Sequence, residues 1–504
     1  MLELWSGPKN LGGKSMFKSW KMLVLVPLVC AFTACCTYWN TSANEATPQP
    51  APPAAQGPTL GVTEASLGKT GDIIGDSLMV SPDSKRIAYI AQRGEKYVLV
   101  VDGVAGKAYE GIAAPATGPI YGATGRFFSP DSKRVAYRAQ RGEKWLVVVD
   151  GVEGKECDAI GVPIFSPDSK RVAYAAKRDG RQFVVVDGVE GKEYTGIQIP
   201  GPIFSPDSKG IAYVAGNWPA SGAIETFVVI DGIEQKEYSG IRFPGPIFSP
   251  DSKHVAYIAG GNGNFFVVMD GVEGKGYSLI GAGSLIFSPN SKRIAYDAQR
   301  GEKQLIVVDA AEEKEYDGVT LPVFSPDSMR VTYSARRGEK WVAVTDEVES
   351  KEYDAIGEGT PIFSPDSKRV AYSAERGGKW ITVVDEAAGK EYDGVASPIF
   401  SHDSQRVAYA AQRGEKWVVV ADGVESKEYD AIGQGTPIFS PDSKRIAYKA
   451  LRGEEWLVVV DGVESKEYEG FITGSHLVFD SPVKLHTLAL RGGEIFLVEI
   501  EITE

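Results

Sequence analysis

From about residue 73 onward, hydrophobic and polar positions follow one pattern again and again. In the copy that opens at Pro437, four short apolar or β-rich runs succeed one another: Pro437 to Ser440, Arg445 to Ala450, Trp456 to Asp461 and Lys466 to Phe471. Turn chemistry separates them. Ser440-Pro441-Asp442-Ser443 has Pro where a type I turn wants its fixed φ, beside Ser and Asp side chains that can bond nearby backbone N–H groups. Arg452-Gly453-Glu454-Glu455 makes the second turn, and Asp461-Gly462 opens the third with a strong hairpin signal. The third run decides the packing. Val147-Val148-Val149 and Val458-Val459-Val460 are continuous β-branched stretches, not alternating ones, so this strand must be covered on both faces.

The unit recurs without interruption. Its anchor serine stands at Ser81, Ser129, Ser166, Ser205, Ser249, Ser288, Ser325, Ser364, Ser401 and Ser440, with a decayed eleventh copy at Ser481, and successive gaps run from 37 to 48 residues. A period near forty marks a repeat architecture. Four-stranded sheets stacked face to face around an axis would cover the third run on both sides, whereas a β-sandwich needs alternation and a parallel β-helix has shorter coils.

Phe128 to Tyr137 (FSPDSKRVAY) followed by Trp145 to Gly151 (WLVVVDG) resembles the TolB-like propeller repeat, a relative of the WD40-type repeat. Family copies usually carry Gly after the turn Asp; here Ser84, Ser132, Ser169 and their equivalents stand in its place. The resemblance covers residues 73 to 504 and implies an all-β fold: a β-propeller of eleven tandem four-stranded repeats, as one wide ring or two fused smaller rings. Eleven units exceed the usual four to eight blades. The last unit has only three runs, so residues 60 to 74 are expected to supply its missing outer strand. In the family the first run of each blade lines the central channel; here that run is mostly Pro-Ile-Phe, without paired carboxylates at glycosidase-like separation.

Charge narrows the partners. The net charge of −13 argues against nucleic acid or an anionic lipid surface, both of which reward clustered Lys and Arg. Four cysteines are too few for a disulfide framework, and Cys157 stands where sister segments carry Tyr, which reads as a drifted position. The other three mark the N-terminus. Lys18 and Lys21 precede the apolar run Met22 to Phe32, which is too short to span a bilayer and reads as a signal-peptide core; residues 1 to 15 lie upstream of a good start at Met16. Phe32-Thr33-Ala34-Cys35 resembles the lipobox of bacterial lipoproteins, with Cys35 as the acylated residue. The expected organisation is a signal peptide over 1–35, a Pro/Ala-rich tether over 36–60 and the repeat array over 61–504. The protein is expected to be exported, on the periplasmic or cell-surface side and lipid-anchored to a bacterial membrane, most simply the outer one.

Catalytic parts are sparse. His254 stands where other copies have Arg and His402 where they have Pro, which are surface-turn substitutions. No Gly-x-Ser-x-Gly elbow occurs and no histidine spacing suits zinc, so no metal or cofactor is called for. The turn aspartates such as Asp83, Asp131 and Asp442 recur in nine of the eleven copies, as turn residues do and as a single metal cluster does not. The mixed-charge Arg-Gly turns, at Arg141 or Arg413 for example, read as a solvated rim. Two adjacent copies depart there: residues 216 to 226 lengthen the loop and 260 to 264 lose its charge, which makes Trp218, Asn217, Asn262 and Asn264 the candidate partner-binding residues, Trp218 as anchor. The expected function is a noncatalytic cell-envelope binding or scaffold protein presenting a propeller face to a protein or glycan. A propeller-type hydrolase or lyase acting on polysaccharide or peptide is the alternative.

Replacing Cys35 by Ser is expected to release the protein from the membrane fraction, since each buried CH2 of a lost acyl chain removes about 0.8 kcal/mol of anchoring. Retention of the Cys35→Ser variant on fractionation moves the lipid to Cys36 or ends the lipoprotein reading.

Overall fold

The computed structural model describes residues 58–114, 127–217, 225–261 and 263–503. Cys35 and the signal segment lie outside the described residues. The blades are numbered by anchor serine, blade 1 carrying Ser81 and blade 11 carrying Ser481. Blade 10 shows the plan. Ile446–Arg452 and Glu455–Val460 are two long antiparallel strands, Val463–Glu464 pairs along the last edge, and two short pieces, Ala431–Ile432 and Ile438–Phe439, share the first edge. Asp461 and Gly462, at φ 49° and 82°, form the two-residue turn that sets Val460 opposite Val463. The run Lys466 to Phe471 is not one strand. Tyr468 makes a single bridge to Trp456 in blade 10, whereas Gly470–Phe471 opens the first edge of blade 11, so the chain crosses between sheets there.

Eleven sheets of this kind occur among the described residues. In the third run of blade 10, Leu457 and Val459 face the apolar cluster shared with blade 9, and Val458 and Val460 face the cluster shared with blade 11. That is why the run does not alternate: both of its faces are core. One such cluster fills every seam between consecutive blades, and the last seam joins Leu488 and Ile495 of blade 11 to Ile87, Tyr89 and Val100 of blade 1. The array is therefore one closed β-propeller ring, not two. Each buried Val, Leu or Ile contributes about 1.5–3 kcal/mol, against about 1 kcal/mol for a typical hydrogen bond, so the apolar seams carry the stability and the polar contacts set the register.

Those polar contacts repeat at both ends of each sheet. At the Asp-Gly end of the seam between blades 9 and 10, the Asp403 N–H donates to Ser443 Oγ at 3.0 Å, and Ser443 adopts a left-handed φ of 63°. Serine in a glycine position thus gains a cross-blade hydrogen bond in exchange for backbone strain. Arg406 donates to Asp422 of its own blade at 2.7 Å and to the Ser443 carbonyl of the next at 3.0 Å, and its guanidinium lies 5.0 Å from the centre of the Phe439 ring. At the hairpin end, Glu425 receives Lys390 at 2.7 Å and Tyr392 at 2.8 Å from blade 8 and Arg413 at 2.6 Å from its own blade. The Arg-Gly turns are therefore inter-blade latches, not merely a solvated rim, as their charge pattern alone implies.

Closure uses the same parts. Thr59–Lys69 pairs antiparallel with Glu494–Thr503 and completes blade 11, which places the closing strand slightly earlier than residues 60 to 74 and starts the folded part inside the expected tether. Glu64 takes the latch position: Lys466 approaches it at 2.7 Å and Arg491 at 2.6 Å. Burial raises the Glu64 carboxyl's pKa, but these two cations overcome it and hold the group below its ordinary range. A lowered folded-state pKa means stability that is present above the ordinary value of 4.5 and lost as pH falls below it.

Glu64→Gln is expected to lower stability by on the order of 2 kcal/mol in chemical denaturation at pH 7 and to remove part of the acid sensitivity below about pH 4.5. A loss no larger than that of the exposed control Glu454→Gln would show that closure does not depend on this latch.

Candidate binding site

The seams are alike in frame and unlike at one position. Between the Tyr and Ala of the first long strand lies a residue that faces the break between the two short first-edge pieces; its carbonyl accepts from the break, as Lys449 O does from Gly433 N at 2.8 Å and Ala410 O from Ala396 N at 2.9 Å. The opposite wall is the residue that opens the apolar third run, a half-buried Trp at Trp145, Trp341, Trp380, Trp417 and Trp456. While the frame repeats, the facing residue changes: Ile90, Arg138, Asp297, Ser334, Ala410 and Lys449 occupy it in different blades.

Large or polar residues here fill the seam. The Arg138 guanidinium reaches the Ile160 carbonyl at 3.2 Å, and the Ser334 hydroxyl donates to the Thr360 carbonyl at 3.2 Å. Lys449 is 4% exposed, donates from Nζ to the Ser475 carbonyl at 3.0 Å, and lies 4.7 Å from the centre of the Phe471 ring. Burial pushes its amine down to about 8. Gly433 is required opposite it, because a Cβ there would sit 2.6 Å from Lys449 Cβ. Asp297 Oδ1 is enclosed with no hydrogen-bond partner.

Ala410 leaves its seam open. A cavity of about 800 Å3 runs from Ala410, Trp417 and Ile432 along the first edges of blades 9, 10 and 11, past Phe400, Thr436 and Phe479. Its walls carry no carboxylate, and His402 is the titratable side chain among them. A smaller cavity of about 370 Å3 occupies the corresponding seam of blades 1 and 2, walled by Ile90 and Tyr97. Among the described residues no cluster of three or more His, Cys, Asp or Glu could hold a metal ion. His486 is 1% exposed and joins Asp480 to the Asp83 carbonyl, both at 2.7 Å, across the closing seam.

The residues singled out by loop departure are only partly placed. Trp218 and Asn262 lie outside the described residues. Asn217 ends the strand Ile211–Asn217 and Asn264 opens Asn264–Met269, both at the hairpin end of neighbouring sheets. Blades 4 and 5 lack the arginines of the common stitches but keep the Asp N–H to Ser bonds, at 2.9 and 2.8 Å. Gly210 and His254 replace the Arg that clamps the next blade, and Asn217 and Gly261 replace the latch Arg, leaving Glu234 with Lys192 at 2.7 Å. His254 keeps only the contact to Asp270, at 2.6 Å. Cys157 is buried in the seam of blades 2 and 3, where burial raises its thiol's pKa, so it is a core position. The sequence reading did not single out Trp417, whose recurrence before the Val run reads as strand alone; variation at Ala410 beside a recurrent aromatic is the feature that marks the place.

No protein-family model and no curated protein matches the chain. Solved structures do resemble it. A eukaryotic initiation factor is 13% identical, with a TM-score of 0.39, 67% of this chain covered and 96% of that one. The propeller domain of the Trilobed protease from Pyrococcus furiosus is 14% identical at a TM-score of 0.28, covering 54% of this chain and 95% of its own. TolB from Acinetobacter baumannii is 14% identical at 0.22, covering 58% and 82%. Three of the solved structures similar to it are described as propellers or propeller domains.

Lys449 provides a test of the seam energetics. Its folded-state pKa of about 8 lies below the ordinary 10.5, so the folded state holds fewer protons in that window and stability rises as pH climbs through it. At neutral pH the buried amine costs roughly 3 kcal/mol. Lys449→Met is expected to gain on the order of 1 kcal/mol at pH 7 and to lose the rise in stability between pH 8 and 10.5 seen for the unmodified protein. Equal pH profiles in denaturant titrations would show that Lys449 is not desolvated.

Proposed function

We propose that the protein is a noncatalytic binding protein of the cell envelope, exported and held by a lipid at Cys35, which takes its partner at the first-edge cavity of blades 9 to 11. One observation supports this reading above the others: a cavity of about 800 Å3, aromatic at one end through Trp417 and neutral along its walls, in a frame where Arg138, Ser334 and Lys449 fill the corresponding place of other seams. Volumes of about 300–1,000 Å3 with apolar walls and few polar groups characterise ligand sites. The absence of carboxylates from the wall sets it apart from a glycosidase-like arrangement, which needs a pair of them. The partner is a protein or glycan of the envelope; the acidic net charge of −13 favours one that is neutral or basic.

Capture from envelope extracts tests the reading. Trp417→Ala is expected to weaken the captured partner by roughly tenfold or more while leaving the melting transition in place, because a half-buried aromatic in a pocket is a typical binding anchor. Trp218→Ala, in the long loop of blade 4, is expected to do little. If Trp218→Ala abolishes capture and Trp417→Ala does not, the partner sits on the hairpin end of blades 4 and 5.

A further inference from the structure

We propose that the deep end of this cavity, between blades 9 and 10, is a site for a primary alkylammonium group carried on an apolar chain. The inference rests on the cavity being the binding site, and it names the chemistry of what binds there. The protein itself supplies the precedent one seam further on. There Lys449 lays its alkyl stem between Trp456 and Gly433 and places its ammonium at the Ser475 carbonyl, 3.0 Å away, and 4.7 Å from the centre of the Phe471 ring. In the seam of blades 7 and 8 the corresponding carbonyl, Thr360 O, receives the Ser334 hydroxyl. In the seam of blades 9 and 10 the corresponding residue is Thr436, which lines the cavity. The side chain that would reach it is reduced to Ala410. Among the described residues no protein donor meets the Thr436 carbonyl.

The ring that faces the Lys449 ammonium, Phe471, is matched in this seam by Ile432, and the aromatic face that meets a cation here is Trp417, the counterpart of Trp456, which lines the cavity with Ala410. Ile432 and Ala410 offer apolar surface to an alkyl stem, as a lysine stem normally finds. The protein's charge of −13 raises the local concentration of cations. With no carboxylate in the wall, carbonyl and ring make a weak ammonium site, so a partner carrying the group would need further contacts along the cavity.

Ligand-observed NMR titration of the folded protein with n-butylammonium chloride, against n-butanol at equal ionic strength, reads the site directly. One saturable site is expected for the ammonium and none of comparable strength for the alcohol. Ala410→Lys, which tethers an amine in place as Lys449 does, and Ala410→Leu, which fills the space without charge, are each expected to weaken butylammonium at least tenfold. Arg138 facing Ala113 shows that a long side chain fits this position opposite an alanine. Lys449→Ala should open the next seam and add a second equivalent. Undiminished ammonium binding in a folded Ala410→Leu variant, or equal binding of butanol, overturns the assignment. The diamide of acetylated lysine, used as a second probe, separates the sources: binding of both probes points to a lysine side chain of a protein, and binding of butylammonium alone to a free amine. Partner capture lost in Trp417→Ala but kept in Ala410→Leu would leave the binding function standing and the ammonium assignment overturned.

Discussion

Everything in this fold depends on the seam. The third strand of each blade is apolar on both faces, so a single four-stranded sheet would leave one row of Val and Leu in water whichever way it turned. Each sheet is stable only between two others, and a row of such sheets has two unsatisfied ends. Closing the ring removes both. The closing blade is accordingly assembled from the two ends of the array, Thr59–Lys69 beside Glu494–Thr503, and its core joins blade 11 to blade 1 with the same kinds of residue as any other seam.

Polar contacts ride on that packing and fix how one blade meets the next. Serine at the left-handed position of the first turn, arginine between the Asp-Gly aspartate and the following blade, and glutamate between two lysine or arginine side chains make the stitches of most seams. Where a partner is missing, another residue occupies part of its role: His254 reaches Asp270, and Glu64 completes the latch of blade 11. Blades 4 and 5 lack the arginine of each stitch and keep the serine and lysine contacts.

A frame this regular leaves little room for chemistry except where it varies. The facing position in each seam can change without disturbing strand pairing, because it points at the break between the two first-edge pieces, where no ladder partner constrains it. Arg138, Ser334 and Lys449 fill their seams and cap a carbonyl of the next blade; Ala410 does neither, and a cavity results.

The repeat, the turn types, the two-sided burial of the third run and the use of an N-terminal strand for closure were all legible in the chain, because each is a local demand that every copy states again. The drift of Cys157 from Tyr and the structural role of the turn aspartates followed from the same comparison of copies. The latches between blades were not legible, since Lys466 and Glu64, or Asp403 and Ser443, are paired only by the stacking of sheets. The charged turns looked solvated because the glutamates that their arginines reach are also held by lysine and tyrosine of the preceding blade. Nor could the chain alone distinguish Ala410 from its neighbours, for an alanine in a strand reads as filler. Only the sheets packed on either side show that its missing side chain is a space, because a cavity belongs to no residue but to the distance between those that surround it.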